Sequence, residues 1–214
     1  MSNKQYISNK DESVTMFANP LLNKLSRVHF TVPLILFLPV IGWLLYQSVI
    51  VAQHSLTQIL LLFPAGIFVW SFVEYTIHRF VFHYHPTSNW GKRLHFICHG
   101  VHHDYPNDSW RLVMPPVLSI PLASFFYLLF RYLFTAIYPD ATYYHPFMAG
   151  FLLGYLAYDM GHYAMHHLNL PYAWFKALRK HHLVHHFHDP DRGYGVSSPF
   201  WDVLFGTNTL DKRR

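Results

Sequence analysis

Apolar residues are concentrated in four long stretches of the chain, and polar residues separate these stretches. The stretches cover residues 31–51, 58–82, 117–137 and 147–163. About 20 consecutive apolar residues are enough for a helix to cross a bilayer. The pattern therefore predicts an all-α integral membrane protein with about four transmembrane helices. The last two stretches fit either two full spans or a shorter re-entrant hairpin, because their lengths do not separate these cases.

Lysine and arginine lie mainly on one side of this predicted topology. Residues 1–30 and the loop 83–116 contain several of them, whereas the two turns on the opposite side contain none. Since cytoplasmic loops are enriched in these residues, we expect residues 1–30 to be a polar cytoplasmic segment and residues 31–214 to form the membrane domain. Arg131, inside the third stretch, is the exception and would have to reach the interface or pair with another group.

The composition supports a membrane protein. Hydrophobic residues make up 52% and charged residues 13% of the 214-residue chain, which is too apolar for an ordinary soluble domain. The net charge of +5 does not indicate a nucleic-acid partner, because the basic residues are distributed between apolar stretches and do not form one aromatic-lined patch. The single cysteine, Cys98, excludes an intrachain disulfide framework and a cysteine-based zinc motif.

Histidine is the residue type that indicates chemistry. The chain has 18 histidines, and ten of them form four regularly spaced boxes. Each half of the chain has a histidine pair followed by an H-x-x-H-H motif: His78 and His83 with His99, His102 and His103, then His162 and His166 with His182, His185 and His186. Imidazole is the commonest nitrogen ligand of transition metals, and ten ligands suit two ions with about five each. We therefore expect a cytoplasmic histidine-rich helical cap that holds a dimetal site.

The spacing within the boxes predicts how the side chains converge. Helix positions i, i+3 and i+4 share one face, so His162 and His166 should point together, as should the three histidines of each H-x-x-H-H motif. His78 and His83 are five residues apart, which is roughly 140° around an ideal helix. These two histidines either bind different metals or require a π-helical turn between them, and we favour different metals.

Two carboxylates lie beside the boxes. Glu74 is one turn before His78, and Asp159 is three residues before His162. A metal-bound histidine usually donates its second ring nitrogen to an oxygen atom. We expect Glu74 and Asp159 to supply such oxygens, and an ion pair with Arg79 or another interfacial base is the structural alternative.

The remaining histidines and Asp202 are expected to have mainly structural roles. Asp202 fits a turn or a helix cap. The histidines outside any box are expected to be ordinary interfacial residues, namely His29, His54, His145 and His188. Four histidines adjoin boxes and stay open as ligands, namely His85, His95, His167 and His181. His95 shares a helical face with His99, whereas His167 and His181 would point away from the convergent face.

Together these motifs resemble a known family. The sequence resembles the fatty acid 2-hydroxylases of the fatty acid hydroxylase and sterol desaturase superfamily, over roughly residues 63–207. The matching segments around the boxes include Glu74-Tyr75, Arg79-Phe80, Arg111-Leu112-Val113 before Pro115-Pro116, Gly154-Tyr155, Tyr158-Asp159, and Gly193 to Ser198 before Trp201-Asp202. The resemblance implies that residues 31–214 form a fatty acid hydroxylase domain whose metal ligands are the ten box histidines.

The resemblance also implies a reaction, a metal and a location. The reaction would insert one oxygen atom of O2 at the carbon next to the carbonyl of a long-chain fatty acid or of the acyl chain of a ceramide. Iron is the expected metal because O2 activation needs a redox-active ion, although histidine-rich sites also hold zinc. We expect a multi-pass membrane protein with its metal site on the cytoplasmic side, in the endoplasmic reticulum of a eukaryote or the inner membrane of a bacterium.

A separate protein, such as cytochrome b5 or a ferredoxin, is expected to supply the electrons. Many relatives begin with a cytochrome b5 domain, whereas about thirty residues precede the first span here, too few for a haem domain. The basic residues of the predicted cytoplasmic face would suit an acidic donor, and equally explain topology or binding to anionic lipid. These residues are Lys92, Arg93, Lys176, Arg179 and Lys180.

Several rival functions stay open at this point. A related oxidase acting on sterols or carotenoids would share the boxes, although segments 111–116 and 193–201 favour the fatty acyl branch. The order of the boxes fits an acyl desaturase poorly. A metal transporter would place its ligands along a path near mid-bilayer. A non-catalytic metal-binding membrane protein would consume no O2 with any lipid.

Overall fold

Helices and the turns that connect them make up the fold. The structure, a computed structural model, describes residues 6–138 and 140–209, and these contain no β-strand. The helices are α1 (Pro20–Leu25), α2 (Thr31–Tyr46), α3 (Leu56–Ile77), α4 (Asn89–His95), α5 (Val101–Asp104), α6 (Pro116–Ile137), α7 (Tyr144–His167), α8 (Ala173–Phe187) and α9 (Phe200–Leu204). The prediction of an all-α fold is confirmed.

Three short π-helical segments modify this helix pattern. Gln47–Val51 extends α2, His78–Phe82 extends α3, and Phe96–Gly100 joins α4 to α5. The last two lie within or beside the first histidine boxes. A π-helical turn shifts the angular position of every residue that follows it, so it changes which histidines share a face.

Three helical segments are long and apolar enough to cross a membrane. They are Thr31–Val51, Leu56–Phe82 and Pro116–Ile137, in agreement with the first three predicted spans. The fourth predicted stretch lies in α7, whose 24 residues are mostly buried among the other helices. The number of bilayer crossings stays a prediction.

Helix α7 is the central element of the core, and it packs directly on α3. A Cβ atom added to Gly66 would lie 2.0 Å from the carbonyl oxygen of Phe147, and one added to Gly150 would lie 1.9 Å from that of Phe63. The two backbones therefore touch where these glycines meet, as small residues allow in membrane helix pairs. This contact fixes the relative positions of the histidines at the far ends of α3 and α7.

Helix α8 is amphipathic in an unusual way. Its buried face consists of Phe175 and four histidines, while Lys176 and Lys180 are exposed on the other side. Buried imidazoles thus occupy the positions at which a soluble helix normally places aliphatic residues. Such burial of polar rings requires partners within the protein or a bound ion.

The N-terminal segment lies against the loop that follows α5. The buried side chain of Arg111 donates from Nη1 to Asp108 Oδ2 at 2.9 Å and from Nη2 to the Val14 carbonyl oxygen at 2.6 Å. The Ile7 backbone N–H donates to the Asp104 carbonyl at 2.9 Å. These bonds hold residues before the first span close to the histidine-bearing helix α5.

Candidate metal centre

All ten box histidines converge in two groups of five. The first cluster consists of His78, His83, His99, His103 and His185, and the second cluster consists of His102, His162, His166, His182 and His186. Within each cluster, one nitrogen from every residue lies within 4.8 Å of the chosen nitrogens of the other four. Among the described residues, no other histidine, cysteine or acidic residue joins these two metal-suited groups.

The placement of His78 and His83 corrects the sequence-based expectation. The five-residue spacing favours different metals for this pair, but both histidines lie in the first cluster. The π-helical segment His78–Phe82 is the cause. The backbone N–H of His83 donates to the carbonyl of His78 at 3.1 Å, a bond across five residues that brings the two side chains to one side.

Each H-x-x-H-H motif divides its histidines between the two clusters, which corrects the expectation that all three point together. In the first motif, His99 and His103 join the first cluster, whereas His102 joins the second. In the second motif, His182 and His186 join the second cluster, whereas His185 joins the first. Each cluster therefore takes four histidines from one half of the chain and one from the other half, which ties the halves together.

The Nε2 atoms of the clusters lack ordinary hydrogen-bond partners. Five of them are buried and unpartnered among the described residues, namely those of His83, His102, His162, His185 and His186. The other five face one another at 3.1 Å (His78 and His99), 3.0 Å (His99 and His103) and 2.9 Å (His166 and His182). Two nitrogens bound at right angles to one metal at about 2.1 Å would lie about 3 Å apart. This donor set therefore fits two metal ions.

Burial keeps these imidazoles neutral, the form that binds metal. Desolvation, followed by repulsion from neighbouring imidazoles, lowers the pKa values of the cluster histidines outside the membrane-spanning helices. The pKa values so lowered are those of His83, His99, His102, His103, His182, His185 and His186. Their lone pairs are consequently available at neutral pH.

Backbone carbonyls of the C-terminal loop, which joins α8 to α9 (residues 188–199), orient two histidines of the first cluster. His78 Nδ1 donates to the Tyr194 carbonyl at 2.6 Å, and His185 Nδ1 donates to the Arg192 carbonyl at 2.7 Å. A proton on Nδ1 leaves the Nε2 lone pair free to bind metal. No sequence pattern predicts these partners, because a backbone carbonyl is present at every residue.

Asp202 anchors the same loop, and this corrects its assignment as a turn or capping residue. It is fully buried and accepts hydrogen bonds from the backbone N–H groups of Tyr194 (3.0 Å) and Gly195 (2.7 Å) and from the hydroxyl of Thr207 (2.7 Å). His181 Nε2 lies 3.1 Å from Asp202 Oδ2. His181 therefore points away from both clusters, as expected, and supports the loop instead.

The two carboxylates selected from the sequence do not contact the box histidines directly. Glu74 accepts from the backbone N–H groups of Val196 and Ser197, both at 2.7 Å, and from the Ser197 hydroxyl. It thus holds the C-terminal loop from the side of α3, one step removed from His78. Asp159 accepts from the backbone N–H of Met114 at 3.4 Å. Neither carboxylate has an ion pair with a basic residue among the described contacts.

Packing, more than hydrogen bonding, positions the second cluster. All five of its residues are buried, and the Nδ1 atoms of His102, His166, His182 and His186 have no protein partner among the described residues. Helices α7 and α8 supply four of the five rings. Arg179 Nε of α8 donates to the Met165 carbonyl at the end of α7 at 2.6 Å, which fastens these two helices together.

The histidines beside the boxes stay outside both clusters. This applies to His85, His95, His167 and His181. Of the four histidines assigned to the interface, His54 and His145 are instead buried, and His54 lies between Ser48 Oγ and Thr142 Oγ1, each at 2.9 Å. The sequence missed this role because Thr142 is 88 residues away along the chain.

An apolar cavity of about 570 Å³ lies next to the histidines. Its wall includes His99 of the first cluster and His102 and His162 of the second cluster, together with Asp159. Most of the remaining wall is apolar and comes from residues 16–25, the end of α3, the start of α6 and the segment between α5 and α6. A molecule in this cavity would contact ligands of both clusters.

Comparison with known proteins gives concordant matches. The family model described as fatty acid hydroxylase matches residues 63–207. A dihydroceramide fatty acyl 2-hydroxylase of Arabidopsis thaliana is 40% identical over 180 residues, which cover 84% of this chain and 73% of that protein. A ceramide very long chain fatty acid hydroxylase of Saccharomyces cerevisiae is 38% identical over 91% of this chain and 49% of its own length.

A solved structure gives the same result for the fold. The structure is described as full-length scs7p with only the hydroxylase domain visible, and it superimposes with a TM-score of 0.80 at 39% sequence identity. The match covers 90% of this chain and 70% of the other.

Proposed function

This chain belongs to the fatty acid hydroxylase family, and we propose that it hydroxylates the carbon next to the carbonyl of long-chain fatty acyl groups, in particular those of ceramide. Family membership makes it a hydroxylating oxidoreductase of lipid acyl chains. The names of the plant and yeast relatives, which specify dihydroceramide and ceramide, support the sphingolipid substrate.

The cavity is the observation that carries this proposal. It is predominantly apolar, and its wall contains histidines of both clusters. Its volume of about 570 Å³ falls within the usual range for small-molecule binding pockets. The methylene groups of an acyl chain would be buried there, and one carbon would lie beside the histidines. The position of the chain in the cavity would therefore select the carbon that reacts.

The two clusters would hold the metal ions. We propose iron at both, and the ions would supply the O2 chemistry when bound. The protein contributes ten neutral imidazoles, the carbonyls that orient His78 and His185, and the walls that keep water from the reacting carbon.

The N-terminal segment covers the cavity. Met16 and Phe17 form part of its wall. Arg93 donates to the Met16 carbonyl and lies over the Phe17 ring, while Arg111 holds Val14. This cover would separate the acyl chain from water while the headgroup stays at the interface.

A separate acidic redox protein is the proposed electron donor, acting from the cytoplasmic side of the membrane. The exposed side of α8 carries Lys176 and Lys180, and the opposite side carries ligands of both clusters. A donor bound there would be separated from the metal ligands by the width of one helix. Complementary charge would speed its association.

The test is a lipid profile. The chain is expressed in a host that makes ceramides without hydroxylated acyl chains, under ¹⁸O2, and compared with His102→Ala and His85→Ala. His85 is exposed, lies outside both clusters and serves as the matched histidine control. Mass spectrometry should find one ¹⁸O atom next to the acyl carbonyl with the wild type and His85→Ala, and none with His102→Ala.

Unchanged ceramides would contradict the proposal if the purified wild type holds metal and a competent electron donor is present. Oxygen added to a sterol or carotenoid instead would reassign the substrate. Metal binding without O2 consumption with any lipid would indicate a non-catalytic protein.

A further inference from the structure

Helix α9 has the reverse of the polarity expected for a helix in water. Its polar residue, Asp202, is fully buried, whereas Phe200, Val203 and Leu204 are 51%, 62% and 61% exposed. Phe205, directly after the helix, is 48% exposed. Exposure of this contiguous apolar surface to water would be unfavourable. Its exposure to lipid acyl chains would not be unfavourable.

The side of α9 that faces the protein lies along the C-terminal half of α3. The Phe200 and Trp201 rings are centred 6.0 and 5.2 Å from the Phe68 ring, and Trp201 Nε1 donates to Ser71 Oγ at 3.0 Å. One turn further along, the Phe205 ring stacks on Tyr75 at 5.5 Å. These α3 residues, spaced by three or four, share one helical face.

The depth of that face in the bilayer follows from the length of α3. A hydrocarbon core of about 30 Å takes about 20 helical residues, and 20 residues counted from Leu56, the first residue of the span, end at Tyr75. The first charged residue of α3 is Glu74, which is buried. The residues that contact α9, from Phe68 to Tyr75, therefore lie in the half of this stretch nearer the histidines.

We propose that residues 200–205 are a re-entrant segment embedded in the hydrocarbon of the leaflet nearest the metal centre. Five helical residues span about 7.5 Å, far too short to cross the membrane, so the chain enters and leaves on the same side. The occupant of the exposed α9 surface is lipid acyl chain, because this surface continues the lipid-facing side of α3, where Phe68 and Phe72 are also exposed.

The placement gives α9 a role toward the first cluster. Asp202 on its inner side binds the loop whose Tyr194 carbonyl orients His78. Lipid on one side and this carboxylate on the other would fix the loop at the membrane surface. The placement does not require the chain to be catalytically active.

Spin-label accessibility in phosphatidylcholine nanodiscs tests the proposal. In a Cys98→Ala background, a nitroxide is attached at Val203→Cys, at Leu60→Cys on the exposed side of α3 and at Lys180→Cys on α8. Collision rates are measured with O2, which concentrates in hydrocarbon, and with a neutral nickel chelate, which stays in water. Val203→Cys should match Leu60→Cys, with nickel collisions several-fold below those at Lys180→Cys.

Two outcomes would overturn the proposal. Nickel collisions at Val203→Cys equal to those at Lys180→Cys would place α9 in water. Low collision rates with both reagents would show that protein, such as a second copy of the chain, covers α9. If the labelled Val203→Cys protein aggregates on size exclusion, Leu204→Cys provides the same measurement one position along the exposed surface.

Discussion

The two histidine clusters use the same residue type in equal number but are held in different ways. In the first cluster, Nδ1 hydrogen bonds fix two rings to the C-terminal loop, and His83 and His103 are only partly buried. In the second cluster every ring is buried, and helix packing sets its geometry. The geometry of the first cluster therefore depends on the C-terminal loop, whereas the geometry of the second cluster depends on how the helices of the core pack.

The largest effects are expected for His102 and His185, the histidine that each cluster takes from the other half of the chain. His102→Ala should abolish hydroxylation and reduce bound metal from about two ions to about one per chain, because the second cluster loses a ligand. His185→Ala should do the same at the first cluster. Elemental analysis of the purified variants gives the metal content. Loss of both ions from each variant would show that the two clusters form only as one unit.

Removal of the loop anchor should have the next largest effect. Asp202→Ala leaves two backbone N–H groups, the Thr207 hydroxyl and His181 without their acceptor. Breaking such a buried network costs roughly 3–5 kcal/mol, and thermal unfolding in detergent should show a correspondingly lower midpoint. Asp202→Asn keeps one acceptor oxygen and should lose less. Equal losses in the two variants would contradict an anchoring role for the carboxylate.

A milder change should separate the two clusters. Glu74→Gln keeps an oxygen that can accept from the Val196 and Ser197 N–H groups but replaces the oxygen that accepts from the Ser197 hydroxyl, which loosens the loop that orients His78. Changes to groups behind metal ligands typically weaken binding about 10-fold or more. Competition with a chelator should therefore release one ion earlier than in the wild type and leave the other unchanged. Equal weakening of both ions would refute the selective role of this loop.

The smallest effect is expected for the hydrogen bond that joins α7 and α8, the two helices that supply most of the second cluster. Arg179→Met removes the hydrogen bond to the Met165 carbonyl, a net loss of about 1 kcal/mol. Because packing holds this cluster, the chelator-release curve should shift only slightly for its ion and not at all for the other. A shift as large as that of Glu74→Gln would mean that the α7–α8 bond positions the cluster as strongly as the loop positions the first.

The sequence alone determined the helical class, the three helices long and apolar enough to cross a membrane, the ten convergent histidines and the resemblance to the family. These properties follow from composition and from spacings of a few residues, which local helix geometry converts into shared faces. The apolar stretch of α7 was also evident, but the depth of its burial depends on how closely Gly66 and Gly150 let α3 approach.

Only the tertiary structure decided how the histidines divide between the clusters. His78 and His83 share a cluster because a π-helical turn separates them, and their five-residue spacing allowed either that turn or two different metals. His102 and His185 each join the cluster formed mainly by the other half of the chain, because helices distant in sequence pack side by side. The partners that orient two rings of the first cluster are backbone carbonyls, and the Tyr194 carbonyl that orients His78 lies 116 residues away along the chain, in a loop that Asp202 anchors. Spacing along a helix fixes which side chains share a face, but the packing of that face against the rest of the protein fixes which metal they reach.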